Sequence, residues 1–128
     1  MNTNLVDSCG WLEYFVEGVH ANFFASPLDD IDHLIIPSIC IHEVFKKVLQ
    51  EKGEDAALQI IAVMQRGNIV NLNSMLAVKS AKLRAQFKLP LADSIILATA
   101  KEYNATIWTQ DDHFRKFKQV KFIEKSTQ

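Results

Sequence analysis

Short apolar runs alternating with helix-period segments predict an α/β domain whose largely parallel sheet is covered on both faces. Residues 4–6, 33–36, 69–72, 106–108 and 120–123 are compact apolar runs of strand length. The segments between them carry apolar residues three and four apart, the period of a helix with one buried face. Pro37-Ser38, Gly53, Arg66-Gly67-Asn68 and Pro90 punctuate the junctions, as helix starts and stops should.

Each element follows from local chemistry. The first strand, 4–6, ends at Asp7-Ser8, and Trp11, Tyr14 and Phe15 predict a helix over 11–16. Ser26-Pro27-Leu28-Asp29-Asp30 reads as a turn or a helix start, and Pro37-Ser38 closes the strand 33–36. Over 39–51, Ile41, Val44, Phe45 and Val48 share one helical face, and Gly53 stops it. A helix over 54–65 and a strand over 69–72 follow. Ser74 reads as the cap of a helix running to Phe87, and Pro90 opens another reaching Tyr103. The strand 106–108, a helical turn over 111–117, the strand 120–123 and a frayed tail over 124–128 complete the chain.

The chain has 128 residues, the length of one domain. Its 48% hydrophobic and 23% charged residues are ordinary for a globular protein. Net charge is −1, so attraction to nucleic acid must be local or borrowed from a metal. Cys9 and Cys40 form neither a CxxC pair nor a zinc spacing with the histidines, and read as buried small hydrophobes of a reducing compartment. No basic leader and no membrane-length apolar run is present, which predicts a cytoplasmic protein.

Acids placed where elements change are the main chemical signal. Asp93 falls in the first turn of an otherwise apolar helix, within Leu89-Pro90-Leu91-Ala92-Asp93-Ser94-Ile95-Ile96-Leu97-Ala98-Thr99-Ala100. Burying a charge there is costly without a cation. The stripe Ala92, Ile95, Ile96, Thr99 and Tyr103 puts Asp93 at its edge beside Ala100, half-buried. Asp7 follows the first strand and Asp111 the strand 106–108, so both project from one edge of a parallel sheet, where ligands of such sheets bind. Each has a structural reading as well: an Asp after a strand caps a helix, one in a first turn complements the helix dipole, and Glu43 lies opposite its helix's apolar stripe, as a solvated Glu does. Carboxylates gathered in one cleft would repel one another without a cation. Such oxygens suit Mg²⁺ or Mn²⁺, and the chemistry they support is phosphodiester hydrolysis.

Four segments taken in order resemble PIN-domain nucleases, and most closely the VapC-type toxins of type II toxin–antitoxin systems. They are Asp7-Ser8-Cys9-Gly10-Trp11-Leu12-Glu13-Tyr14-Phe15; Ile36-Pro37-Ser38 leading to Glu43-Val44; the Asp93 segment; and Trp108-Thr109-Gln110-Asp111-Asp112-His113-Phe114. The resemblance implies a three-layer α/β/α domain over residues 1–128 and Mg²⁺- or Mn²⁺-dependent endoribonuclease activity. It implies an acidic quartet of Asp7, Glu43, Asp93 and Asp111, flanked by the hydroxyls of Ser8 and Thr109. Asp7 and Asp93 would hold the metal directly, with Glu43 and Asp111 completing the site through water. The family often carries a second acid two residues after the position of Asp111; here that residue is His113, and Asp112 is the nearest acid. The resemblance also implies a homodimer, an RNA substrate and a cognate antitoxin that places an arginine among the acids.

Other signals are weaker. His42-Glu43 begins an HExxH pattern, but Lys46 stands where the second His is needed. Lys79, Lys82 and Arg84 share one helix and read as a solvated face. Arg115, Lys116 and Lys118, with Lys121, follow Asp111 and are candidates for RNA phosphates at the rim of the acidic site. A catalytically silent PIN-like module that binds RNA or protein, and a housekeeping RNA-processing nuclease, are the alternative readings.

Overall fold

The computed structural model describes residues 2–126, so the end of the expected frayed tail lies outside the described residues. Five strands, β1 (Thr3–Val6), β2 (Leu34–Pro37), β3 (Asn68–Val70), β4 (Ala105–Thr109) and β5 (Val120–Phe122), form one sheet in the order β3-β2-β1-β4-β5. Every pairing is parallel. The helices are α1 (Ser8–Phe15), α2 (Ala21–Asp29), α3 (Ser38–Lys52), α4 (Glu54–Met64), α5 (Ser74–Phe87) and α6 (Leu91–Tyr103). From β1 the chain steps through β2 to β3, then returns past β1 to β4 and β5. Right-handed crossovers in opposite directions lay helices on opposite faces of the sheet, which makes the three layers. The reversal falls between β1 and β4, and their carboxyl ends open a crevice there.

The central strands read as continuous apolar runs because both faces are buried. β2 is buried at all four positions, and Leu5, Ile36 and Ile107 are each at most 1% exposed. Phe24, Val44, Ile96 and Phe114 close the core from the helices and the loop after β4. Gly10 lets α1 settle onto this core: a Cβ there would lie 2.6 Å from the Phe24 ring and from Val6 Cγ1. α3 ends at Gly53, whose φ of 91° reverses the chain into α4.

Several boundaries differ from the sequence reading for physical reasons. Residues 26–30 are the end of α2, with Pro27 in its last turn; the helix begins at Ala21, where no stripe of regular period announces it. Asn73, not Ser74, caps α5, its side chain accepting from the Leu76 amide at 2.9 Å. The turn expected over 111–117 is a 3₁₀ turn of three residues, Asp112–Phe114. Most consequential is α6, which is buried without interruption from Asp93 to Ala100, while Tyr103 is exposed. α5 packs along the side that a one-stripe reading leaves to solvent. Lys79 pairs with Glu102 and ties α5 to α6, while Arg84 donates to the Leu89 carbonyl in the loop that joins the two helices.

Candidate metal centre

The crevice at the ends of β1 and β4 gathers the acids. Asp7 leaves β1 with its amide still bonded to the Trp108 carbonyl at 3.0 Å, then caps α1. Its Oδ1 accepts from the Ser8 amide at 2.7 Å, and its Oδ2 from Thr109 Oγ1 at 2.8 Å and Cys9 Sγ at 3.3 Å. Thr109 also accepts from the Asp111 amide at 2.9 Å, so one hydroxyl couples the two strand ends. Ser8 links the next acid in the same way: its Oγ donates to Glu43 Oε1 at 2.6 Å. Glu43, expected on a solvated face, is therefore half-buried against α1.

Asp93 enters from the first turn of α6 and is 8% exposed, deeper than its sequence position implies. Asp111 caps the 3₁₀ turn, its Oδ1 accepting from the His113 amide at 2.9 Å. That turn swings the His113 ring back over the acids. Nδ1 of His113 lies 3.0 Å from Asp93 Oδ2 and 2.9 Å from Asp111 Oδ1. Asp93, Asp111 and His113 each offer a ligand atom, all within 4.8 Å of one another. Asp7 stands outside this tightest set, its oxygens already engaged by Ser8, Thr109 and Cys9. Asp112 faces solvent, with its nearest cationic atom on Arg115 at 3.8 Å, and contributes nothing to the cluster. From sequence, position 113 reads as a missing acid; spacing two residues beyond Asp111 on a 3₁₀ turn is the signal that places its ring in the site.

The electrostatics call for a cation. Burial pushes Asp7 up to about 6 despite the hydrogen bonds it accepts from Thr109 and Cys9, and Asp111 adds to the rise. Burial pushes Asp93 up to about 7, with further contributions from the charges of Asp111 and Asp7 and partial relief from His113. Both carboxyls are thus costly to ionise while the site holds only protein charges. A donor set of carboxylate oxygens and one imidazole, under mutual repulsion, fits a divalent metal. Burial also pushes the Cys9 thiol well up, so it acts as a hydrogen-bond donor and not as a thiolate.

A cleft of about 510 Å³ opens beside the acids, lined by Ser8, Cys9, Glu43, Lys46, Leu91 and Ala92 among others. The basic candidates divide. Arg115 ends the 3₁₀ turn and its guanidinium lies 4.9 Å from the centre of the Phe122 ring, at the carboxyl end of β5. Lys116 and Lys118 line a separate cavity of about 430 Å³ with Leu97 and Val120. Lys118 precedes β5, which puts it toward the sheet edge opposite the acids.

The acids gather at the topological switch point of a parallel α/β sheet, the crevice where such folds bind their ligands. The chain belongs to the PIN domain family, which it matches over residues 5–120. No curated protein matches it in sequence. A chain of a toxin–antitoxin complex from Klebsiella pneumoniae is 26% identical, with a TM-score of 0.75 over 92% of this chain and 95% of that one. VapC20 of Mycobacterium tuberculosis, described as a sarcin–ricin loop cleaving toxin, is 11% identical, with a TM-score of 0.75 over 92% of this chain and 98% of that one. VapBC2 of Rickettsia felis, solved on a promoter DNA fragment, gives 15% and 0.73, covering 95% and 98%. The likeness to the last two is one of fold. Among the described residues, no helix is long and apolar enough to cross a membrane.

Proposed function

We propose that this chain is a divalent-cation-dependent endoribonuclease and the toxin of a type II toxin–antitoxin pair. The convergence of Asp7, Asp93 and Asp111 at the crevice between β1 and β4 carries the reading. The 26% identity with a chain of a toxin–antitoxin complex supports the toxin assignment. The carboxylates of Asp93 and Asp111, with Asp7 facing the same charge, are the acids that would hold Mg²⁺ or Mn²⁺. When bound, the cation supplies the positive charge that lowers the pKa of water and offsets charge growing on the phosphate. Thr109 and Ser8 hold Asp7 and Glu43 in fixed orientations, so that a carboxylate accepts the proton of the attacking water without reorganising. The cleft past Ser8 and Glu43 leads RNA to the acids, and Arg115 meets its phosphates. The cognate antitoxin and a second copy of the chain are the proposed protein partners.

The test is inducible expression of wild type and Asp93→Asn in a bacterial host, with transcriptome-wide mapping of new RNA 5′ ends. New ends at defined sites and growth arrest are expected with wild type alone. Identical RNA profiles from both soluble proteins would refute the nuclease. They would favour a silent PIN-like binding module, in which His113 serves as a built-in counter-ion between Asp93 and Asp111.

A further inference from the structure

The imidazole among the acids sits where a ligand should sit. His113 is held by its own backbone: its amide donates to Asp111 Oδ1, and the neighbouring Phe114 is fully buried with its amide on the Asp111 carbonyl at 3.1 Å. The ring is thus carried on a pinned turn. Its Nδ1 is nearly equidistant, at 2.9 and 3.0 Å, from oxygens of two different carboxylates. Adjacent ligand atoms on an octahedral ion with bonds of about 2.1 Å are about 3.0 Å apart. An imidazolium hydrogen bond has the same length, but the two arrangements differ in what they do to metal preference. A counter-ion competes with every dication alike. A nitrogen ligand favours borderline metals over Mg²⁺, which binds oxygen and water by preference.

We propose that His113 Nδ1 is a direct metal ligand, completing with Asp93 and Asp111 a two-carboxylate, one-imidazole site that selects a first-row transition-metal dication over Mg²⁺. The inference rests on the cation-dependent reading of the site and specifies its metal. Exchanging an acid for His113 would then change the metal the site prefers and leave its capacity to bind one intact. Three donors on one side leave the remaining positions to water and a phosphate oxygen, as an open catalytic site requires.

The test is calorimetric titration of the metal-free protein with MnCl₂, CoCl₂ and MgCl₂, for wild type, His113→Ala and His113→Asp. Wild type is expected to bind Mn²⁺ and Co²⁺ at least about tenfold more tightly than Mg²⁺. His113→Ala should weaken Mn²⁺ and Co²⁺ by about 10–100-fold and Mg²⁺ by less than about threefold, while His113→Asp brings the affinities together. Pulsed EPR of the Mn²⁺ complex with ¹⁵N-histidine-labelled protein should show one directly bound nitrogen, absent in His113→Ala. His113 lies at the surface, with its side chain 55% exposed, so the variants should fold. Saturated wild type without nitrogen coupling, or equal weakening of all three metals in His113→Ala, overturns the ligand role of His113 alone. Wild type that binds no dication overturns this inference and the cation-dependent reading together.

Discussion

Asp7 and Asp93 are held in opposite ways, and the contrast sets how the protein responds to pH. Asp7 accepts three hydrogen bonds, which limit its rise to about 6; Asp93 has only the His113 ring to relieve it and rises to about 7, from an ordinary value of 3.8. Both folded-state values lie above the unfolded ones, so the folded protein binds more protons. Their contribution to stability is complete below pH 3.8 and disappears as pH rises through 6 to 7. A shift of one unit corresponds to about 1.4 kcal/mol, so the loss is on the order of a few kcal/mol. Metal-free wild type should therefore melt lower at pH 8 than at pH 5, by roughly 5–10 °C more than Asp93→Asn does. Mn²⁺ should recover that loss at pH 8 and much less at pH 5, where protons compete for the same oxygens. Circular-dichroism melting across pH checks this, and equal slopes for the two proteins would remove Asp93 as the strained charge.

At the level of elements, the site depends on how α6 and the Asp112–Phe114 turn are fastened. Phe114 is the anchor: its ring is fully buried while both residues before it are exposed. Truncating such a ring to Ala costs about 3–5 kcal/mol and would confound folding with function. Phe114→Leu keeps most of the volume, at a cost below about 1.5 kcal/mol. It should lower the melting temperature by only a few degrees yet weaken dication binding about tenfold or more, because Asp111 and His113 ride on the turn. Unchanged affinity in Phe114→Leu would mean that the turn is set by other interactions. The legibility of these elements in sequence varies with the range of the forces involved. Pro90 and the Asp93 segment announce the start of α6 because capping and propensity are local. The depth of Asp93 is not readable, since α5 covers the outer side of α6 from a distance in sequence. Glu43 is misplaced by its helical stripe for a similar reason: Ser8, 35 residues earlier, draws it inward. His113 looks like a missing acid because a 3₁₀ turn, shorter than the expected helical one, decides where its ring points.

For the molecule as a whole, topology and charge divide the work. The strand order is beyond sequence patterning, which finds strands but not their neighbours, yet it creates the crevice by reversing direction between β1 and β4. Because Asp7 and Asp111 each follow a strand, their shared edge is legible once the sheet is taken as parallel. The charge pattern tells less, because a net −1 carries no general attraction for a polyanion. On the proposed nuclease reading, the attraction for RNA comes from a divalent cation held by the acids and from the few cationic side chains on the same edge. Arg115, stacked on Phe122 at the carboxyl end of β5, is on that edge; Lys118, before β5, is toward the other. Removing one side chain that neutralises a phosphate should reduce the dependence of log affinity on log salt by about 0.7 for a single strand. Arg115→Ala is therefore expected to weaken RNA binding and flatten the salt dependence by roughly that amount, measured with Asp93→Asn as background to prevent cleavage. Lys118→Ala should leave both unchanged. If instead Lys118→Ala flattens the slope as much as Arg115→Ala, RNA must continue around the β5 edge to the cavity below it, and the substrate footprint would span both ends of the sheet.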